Sequence, residues 1–279
     1  MTANEKRLES MRANLSALER QADTILQKGD AITHDDRMRL LWLLNIAYHT
    51  TGKIEGIFSI DGCACCEFCE KMRAAAAGNP LLICGCCYAA ADFWKEAAYR
   101  RHKLNMRILS AVLFERSELA AVAVPGMLCR VNEDGDITNT THARNIIRII
   151  QTHAATRFSL FFKNAPAVDA GLRMEGITTR AELPENARFI QSSPLIGFPA
   201  RPVWFADAVF TVFPDEETTI AAVKNGAHEC NGRKCRACGF FCYTMTRPET
   251  PVQIAEYLRT NKARRAEILA AYNAKKAGE

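Results

Sequence analysis

Cys230, Cys235, Cys238 and Cys242 fall within one short stretch, spaced Cys-x4-Cys-x2-Cys-x3-Cys. Thiolates are soft ligands, and closing so short a segment costs little chain entropy, so one metal centre can gather all four. Zinc ribbons present two Cys-x2-Cys knuckles separated by a longer excursion, and many zinc sites include histidine. Here the thiols are compressed and the nearest histidine, His228, lies outside them. The first two intervals echo the spacing of plant-type ferredoxins. The chemistry expected is therefore an iron–sulfur cluster, with zinc as the alternative. Gly232, Ala237 and Gly239 let backbone amides turn toward the sulfurs, and Phe240, Phe241 and Tyr243 would shield them from water.

A second group lies far upstream: Cys63, Cys65, Cys66, Cys69, Cys84, Cys86 and Cys87. Spacing picks out Cys63-x2-Cys66-x2-Cys69 as a compact run and Cys84-x2-Cys87 as a pair, which leaves Cys65 and Cys86 surplus. Three protein ligands on a [4Fe-4S] cluster leave one iron open to a substrate or to S-adenosylmethionine, whereas four close it for electron transfer. Cys129 stands apart on an apolar segment and reads as a small buried side chain.

The rest of the composition limits the setting. Twelve cysteines among 279 residues would suggest disulfides in a secreted protein. The N-terminus, however, leads into a charged helix rather than an apolar signal core, and no apolar run approaches the roughly 20 residues that cross a bilayer. The expectation is a cytoplasmic, metal-binding protein with no membrane role. The formal net charge of +5 counts every thiol as neutral. A four-thiolate site around a 2+ core contributes about −2, so the loaded protein is nearer neutral and nucleic acid is not a favoured partner.

Periodicity places these groups on a scaffold. Residues 4–28 read as an amphipathic helix with Leu8, Met11, Leu15, Leu18, Ala22 and Ile25 on one stripe, a candidate self-association surface. A second helix is expected from a cap at Thr33 through Tyr48. Strands are expected at 53–60, 127–131, 157–162, 187–191 and 208–213, with helices at about 88–113, 115–121, 141–152 and 165–174. Thr250, Pro251 and Gln253 resemble a helix start for a last helix reaching Tyr272. Strands alternating with helices predict an α/β fold with parallel pairing. Five visible strands suit an incomplete parallel (βα) barrel or a small open sheet better than a closed barrel. The expected organisation is a helical region over 1–52, a cysteine-rich α/β domain over 53–247 and a C-terminal helix over 248–279. Asp136, Lys163 and Ser192 fall at predicted strand ends, where parallel sheets place ligands, and are candidate catalytic residues beside the upstream thiols.

Several of these segments together resemble the phage-encoded gene-product 88 family. They are the strand from Lys53 to Ile60, Phe68 to Met72, Ile83 to Ala89, Arg101 to Asn105, the turn from Arg130 to Asp136, Phe161 to Asn164, Ser192 with Ser193, and the final cysteine stretch. The resemblance spans about residues 53 to 247. It implies iron–sulfur binding in a host cytoplasm, with no reaction to carry over. It also implies Cys69, Cys84 and Cys87 as upstream ligands, and Cys230, Cys235, Cys238 and Cys242 downstream. The order of features is similar to a radical S-adenosylmethionine barrel, although the usual Cys-x3-Cys-x2-Cys spacing is missing. The partners implied are an electron donor or a small-molecule ligand.

Overall fold

Strand β5 (Ala187–Ser192) is buried along its whole length, as a parallel strand covered on both faces must be. It lies inside an open eight-stranded sheet ordered β1-β2-β3-β4-β5-β6-β8-β7. The other strands are β1 (Ala47–Tyr48), β2 (Phe58–Ile60), β3 (Leu128–Val131), β4 (Arg157–Phe162), β6 (Ala208–Phe213), β7 (His228–Glu229) and β8 (Val252–Tyr257). Only β1 and β2 pair antiparallel; every other pairing is parallel. The structure is a computed structural model. It describes residues 3–50, 53–62, 67–86, 96–124, 126–133, 135–230, 235, 238, 241–244 and 246–278.

From β2 to β6, neighbours in the sheet are also neighbours in the chain. Right-handed crossovers between such strands carry their helices to the same face. The described helices are α1 (Ala3–Leu26), α2 (His34–Trp42), α3 (Glu67–Ala76), α4 (Glu96–Ala111), α5 (Arg116–Leu119), α6 (Thr140–Thr152), α7 (Ala165–Met174), α8 (Glu216–Lys224) and α9 (Lys262–Ala277). The main core joins Ile108 of α4, Ile146 and Ile150 of α6 and Leu172 of α7 to Val131, Phe158, Leu160 and Phe189 of the sheet. Cys129 is fully buried in this core, as expected of a packing residue. The opposite face carries Phe161, Ile190, Phe210 and Ile254, and there Cys230 and Cys242 pack. Helices α4, α6 and α7 thus cover one face, and the downstream thiols pack on the other.

Both terminal helices pack onto this body. α1 buries Leu15, Ala22 and Ile25 and is tied to α4 by Arg100 with Glu19 and by Arg107 with Asp23. Met11 and Leu18 of its stripe stay exposed. The helix expected from Thr250 is instead strand β8, inserted between β6 and β7. Thr250 and Pro251 imitate a cap, but the following residues alternate Val, Gln, Ile, and β6 offers a full row of ladder partners. The true cap is Asn261, whose side chain accepts from the Arg264 N–H at 2.9 Å. α9 then lays Ile268 and Tyr272 on Leu81, Ile196 and Leu258. Gly197, at φ +80°, lies under the Tyr272 ring, where a Cβ would meet ring carbon at 2.4 Å.

Two further expectations shift near the first thiol group. α2 stops at Trp42 rather than Tyr48, and the strand expected from Lys53 begins only at Phe58. β1 pairs antiparallel with β2, and Gly56, at φ +79°, donates its N–H to the His49 carbonyl at 2.7 Å. Asn105 fixes the approach: its side chain accepts from the Asn45 N–H and donates to the Asn45 and Asp61 carbonyls. No helix among the described residues is long and apolar enough to cross a membrane.

His142, in the first turn of α6, gives the fold an acid-sensitive point. It is 1% exposed, its Nδ1 accepts from the Thr138 N–H, and burial holds its pKa down at about 4 from an ordinary 6.5. The unfolded chain therefore takes up the proton first. Its stabilising contribution is complete above about pH 6.5 and is lost as pH falls toward about 4, roughly 3 kcal/mol in all. Urea unfolding across that window should show a shallower pH slope in His142→Asn than in the native chain; parallel slopes would refute the assignment.

Candidate functional site

The downstream thiols are anchored from two sides. The Cys230 N–H donates to the Ala255 carbonyl at 2.8 Å, continuing the β7–β8 pairing. Lys53, in the hairpin before β2, donates from Nζ to the Cys230 carbonyl at 2.8 Å and pairs with Glu256 at 2.7 Å. The Lys53 carbonyl in turn accepts from the Cys235 N–H at 2.7 Å. Cys242 sits in the short helical turn Phe241–Tyr243, which packs on β4 and β5. Cys235 and Cys242 share an apolar pocket with Ile54, Ile57 and the buried Tyr243. The N–H of Cys238 donates to the Cys235 carbonyl at 3.3 Å.

Burial pushes the Cys230, Cys235 and Cys242 thiols upward, Cys242 to about 12. Opposing that, Arg130 of β3 favours the thiolate at all three, and Lys53 does so at Cys230 and Cys235. The field of each thiolate raises its neighbours, so the sulfurs lie within electrostatic reach of one another. Thiols so placed give up protons to a metal rather than to water. Gly232, Ala237, Gly239 and Phe240, expected to surround the sulfurs, lie outside the described residues, as does the Phe241 side chain.

Beside these thiols, at the carboxyl ends of the strands, lies a cavity of about 410 Å³. Asp136 after β3, Lys163 after β4 and Ser192 at the end of β5 all line it, so the structure brings the three expected residues together. Cys84 and Cys86 line it from one side, Lys53 and Arg130 from the other. A smaller cavity of about 20 Å³ joins Cys69 and Cys84 to Asp136 and Lys163. Two of the three upstream ligands implied by the resemblance thus face one space. Cys87, the third, lies outside the described residues, as do Cys63, Cys65 and Cys66.

Asp136 has a positioning role. It is 1% exposed, Oδ2 accepts from the Lys163 N–H at 2.8 Å, and Oδ1 accepts from Ile137 at 2.7 Å and Asn164 at 3.3 Å. The carboxylate therefore orders the turn that presents Lys163. Burial raises its pKa, opposed by the Lys163 charge and these amides.

Compared with family models, with curated proteins and with solved structures, the chain matches none. The site must be understood from its own residues.

Asn132 is the lining residue whose role sequence reasoning missed. It is a non-glycine at φ +61°, 4% exposed. Its Nδ2 donates to the Phe161 carbonyl at 3.1 Å, while Oδ1 has no hydrogen-bond partner among the described residues. A left-handed backbone is uncommon outside glycine, and a buried unpaired carbonyl costs about 1–3 kcal/mol. Both features, with its place in the cavity wall, make Asn132 a candidate ligand contact. The available signal was an Asn at the head of an Asn-Glu-Asp-Gly turn, since Asn tolerates that backbone. Arg130 was quoted only as part of a motif; in the structure its guanidinium lies 4.1 Å above the Phe161 ring and faces the thiols.

Proposed function

We propose that the chain is an iron–sulfur redox protein that binds a small ligand bearing a carboxylate or phosphate between two cysteine groups. The observation that carries this reading is a cavity lined by upstream cysteines and by the two cations that act on the downstream thiols. Cys84 and Cys86 line it directly, while Lys53 and Arg130, which hold and face the downstream thiols, line its other side. Soft thiolate donors fit iron–sulfur clusters, and the motif resemblance supports the same reading. Cys230, Cys235, Cys238 and Cys242 would hold one cluster, and Cys69, Cys84 and Cys87 would hold a second with an open iron. A bound cluster supplies one-electron transfer, for which the protein needs an external electron donor.

The chain's own residues define the ligand. Lys163 and Arg130 offer cations for a carboxylate or phosphate, and Asn132 Oδ1 offers an acceptor for an N–H or O–H. Phe161 and Phe210 supply an apolar wall. The volume is within the range that small-molecule sites occupy. S-adenosylmethionine has the required carboxylate and amino groups and is the first ligand to test.

Anaerobic purification followed by iron, sulfide and zinc analysis decides the metal. The expected protein is coloured, carries iron and sulfide, and changes spectrum on adding S-adenosylmethionine. Zinc with neither iron nor sulfide would replace this reading with a zinc-stabilised binding protein. An iron protein whose spectrum ignores S-adenosylmethionine would retain the clusters and reject that ligand.

A further inference from the structure

We infer that His49, Asp61 and Glu133 form a separate site for a divalent transition-metal ion at the carboxyl ends of β2 and β3. One donor atom from each lies within 4.8 Å of the others, and they are the one such group among the described residues. The residues come from three places: His49 follows β1, Asp61 follows β2 and Glu133 lies two residues beyond β3. Their convergence is built by the sheet, because β1 pairs with β2 and β2 with β3. It does not depend on the cysteine clusters.

The geometry suits an ion held by imidazole and carboxylate. His49 Nε2 lies 3.3 Å from Glu133 Oε2 and 2.7 Å from the Ser59 hydroxyl. Asp61 is 2% exposed; its Oδ1 accepts from the Glu133 N–H at 2.7 Å, and its Oδ2 accepts from Ser59. His102 of α4 stands behind, with Nε2 3.9 Å from the same Oδ2. Asn105, one helical turn along from His102, clamps the Asp61 carbonyl. Such outer partners fix the orientation of ligating groups in metal sites. The mixed nitrogen and oxygen donors select iron(II), manganese(II) or zinc(II) over calcium or magnesium, and over thiolate-seeking copper(I). Glu133 also lines the large cavity, so an ion here would be reachable from the ligand space.

Ser59 is no nucleophile in this group. Its hydroxyl is fully buried and donates to Asp61 rather than standing free beside His49. The arrangement orients a carboxylate; it does not activate an alcohol.

Cobalt(II) titration of the anaerobically purified full chain, with its thiol-bound metal in place, tests the site. The expected result is uptake of about one further cobalt, with the spectrum of nitrogen and oxygen ligation and no sulfur charge-transfer band. His49→Ala should weaken that uptake at least about tenfold, while iron and sulfide per chain stay unchanged. Glu133→Gln, close in shape and at the cavity wall, should weaken it too and keeps the test open if His49→Ala fails to fold. A native chain that takes up cobalt only through sulfur, or variants that bind it as tightly as the native chain, would overturn the proposal. Loss of iron and sulfide in the native chain would count against the cluster reading and leave this site untouched.

Discussion

Replacing Asp207 by alanine is expected to lower the unfolding free energy by roughly 3–5 kcal/mol, because it leaves buried cations without their counter-charge. Asp207 precedes β6 and is wholly buried. It accepts from Arg247 at 2.5 and 2.6 Å, from Arg180 at 3.0 Å and from the Phe189 N–H at 2.9 Å. Arg188 is buried nearby, where burial and then the Arg247 charge push its pKa down. Asp207 is thus the carboxylate that offsets a group of guanidiniums. Without it, those cations stand close together with little water to screen them.

The consequence reaches the thiols. Arg247 ties the chain after the cysteine stretch to the starts of β5 and β6, donating also to the Pro184 and Ala187 carbonyls at 2.9 and 3.1 Å. Asp207→Ala releases that latch, so metal retention should fall along with stability. Asp207→Asn keeps the acceptor for Phe189 but loses the charge, and should fall between alanine and the native residue. Guanidinium unfolding of the three proteins measures the effect. A loss under about 1 kcal/mol for alanine would show that the arginines find other partners.

How far the sequence revealed this molecule depended on the length of each signal. β4, β6 and α7 were legible to the residue, because six apolar-rich positions or ten helical ones with Pro166 in the first turn leave little ambiguity. β1 and β7, with two residues each, carry no periodicity to detect. β8 was misread because its strand pattern sits directly behind a cap-like Thr-Pro pair, and only the exposed ladder of β6 decides between the two. The thiol-rich stretch was visible because its cysteines are close in sequence. The His49, Asp61 and Glu133 group was not, because its members are brought together only by the pairing of three strands. Asp136 was found by position: a strand-end acid next to glycine can face a ligand or cap a turn, and in the structure its oxygens accept from backbone amides at the cavity wall.

Cys242→Ala is expected to remove the downstream metal, with iron and sulfide per chain falling by the content of a whole cluster. The three-thiolate remnant would leave one iron open within an apolar pocket formed by Ile54, Ile57 and Tyr243, so it should release the cluster. The variant is informative because its cost in packing is small. Cys242 lies among Ile54, Ile57 and Tyr243 on one side and Ile190 and Ile254 on the other, where alanine removes one sulfur and adds no polar group. Serine there would bury an unpaired hydroxyl and confuse metal loss with misfolding. Cys129→Ala is the control, since that thiol is more deeply buried than Cys242 but lies on the helix-covered face, and burial likewise drives its pKa far upward. Both variants should unfold at similar denaturant concentrations once metal is stripped, but only Cys242→Ala should lose cluster absorbance beforehand. Equal metal content in the two would show that burial alone explains Cys242, and that the conserved volume of a small side chain, not ligation, is what its site requires.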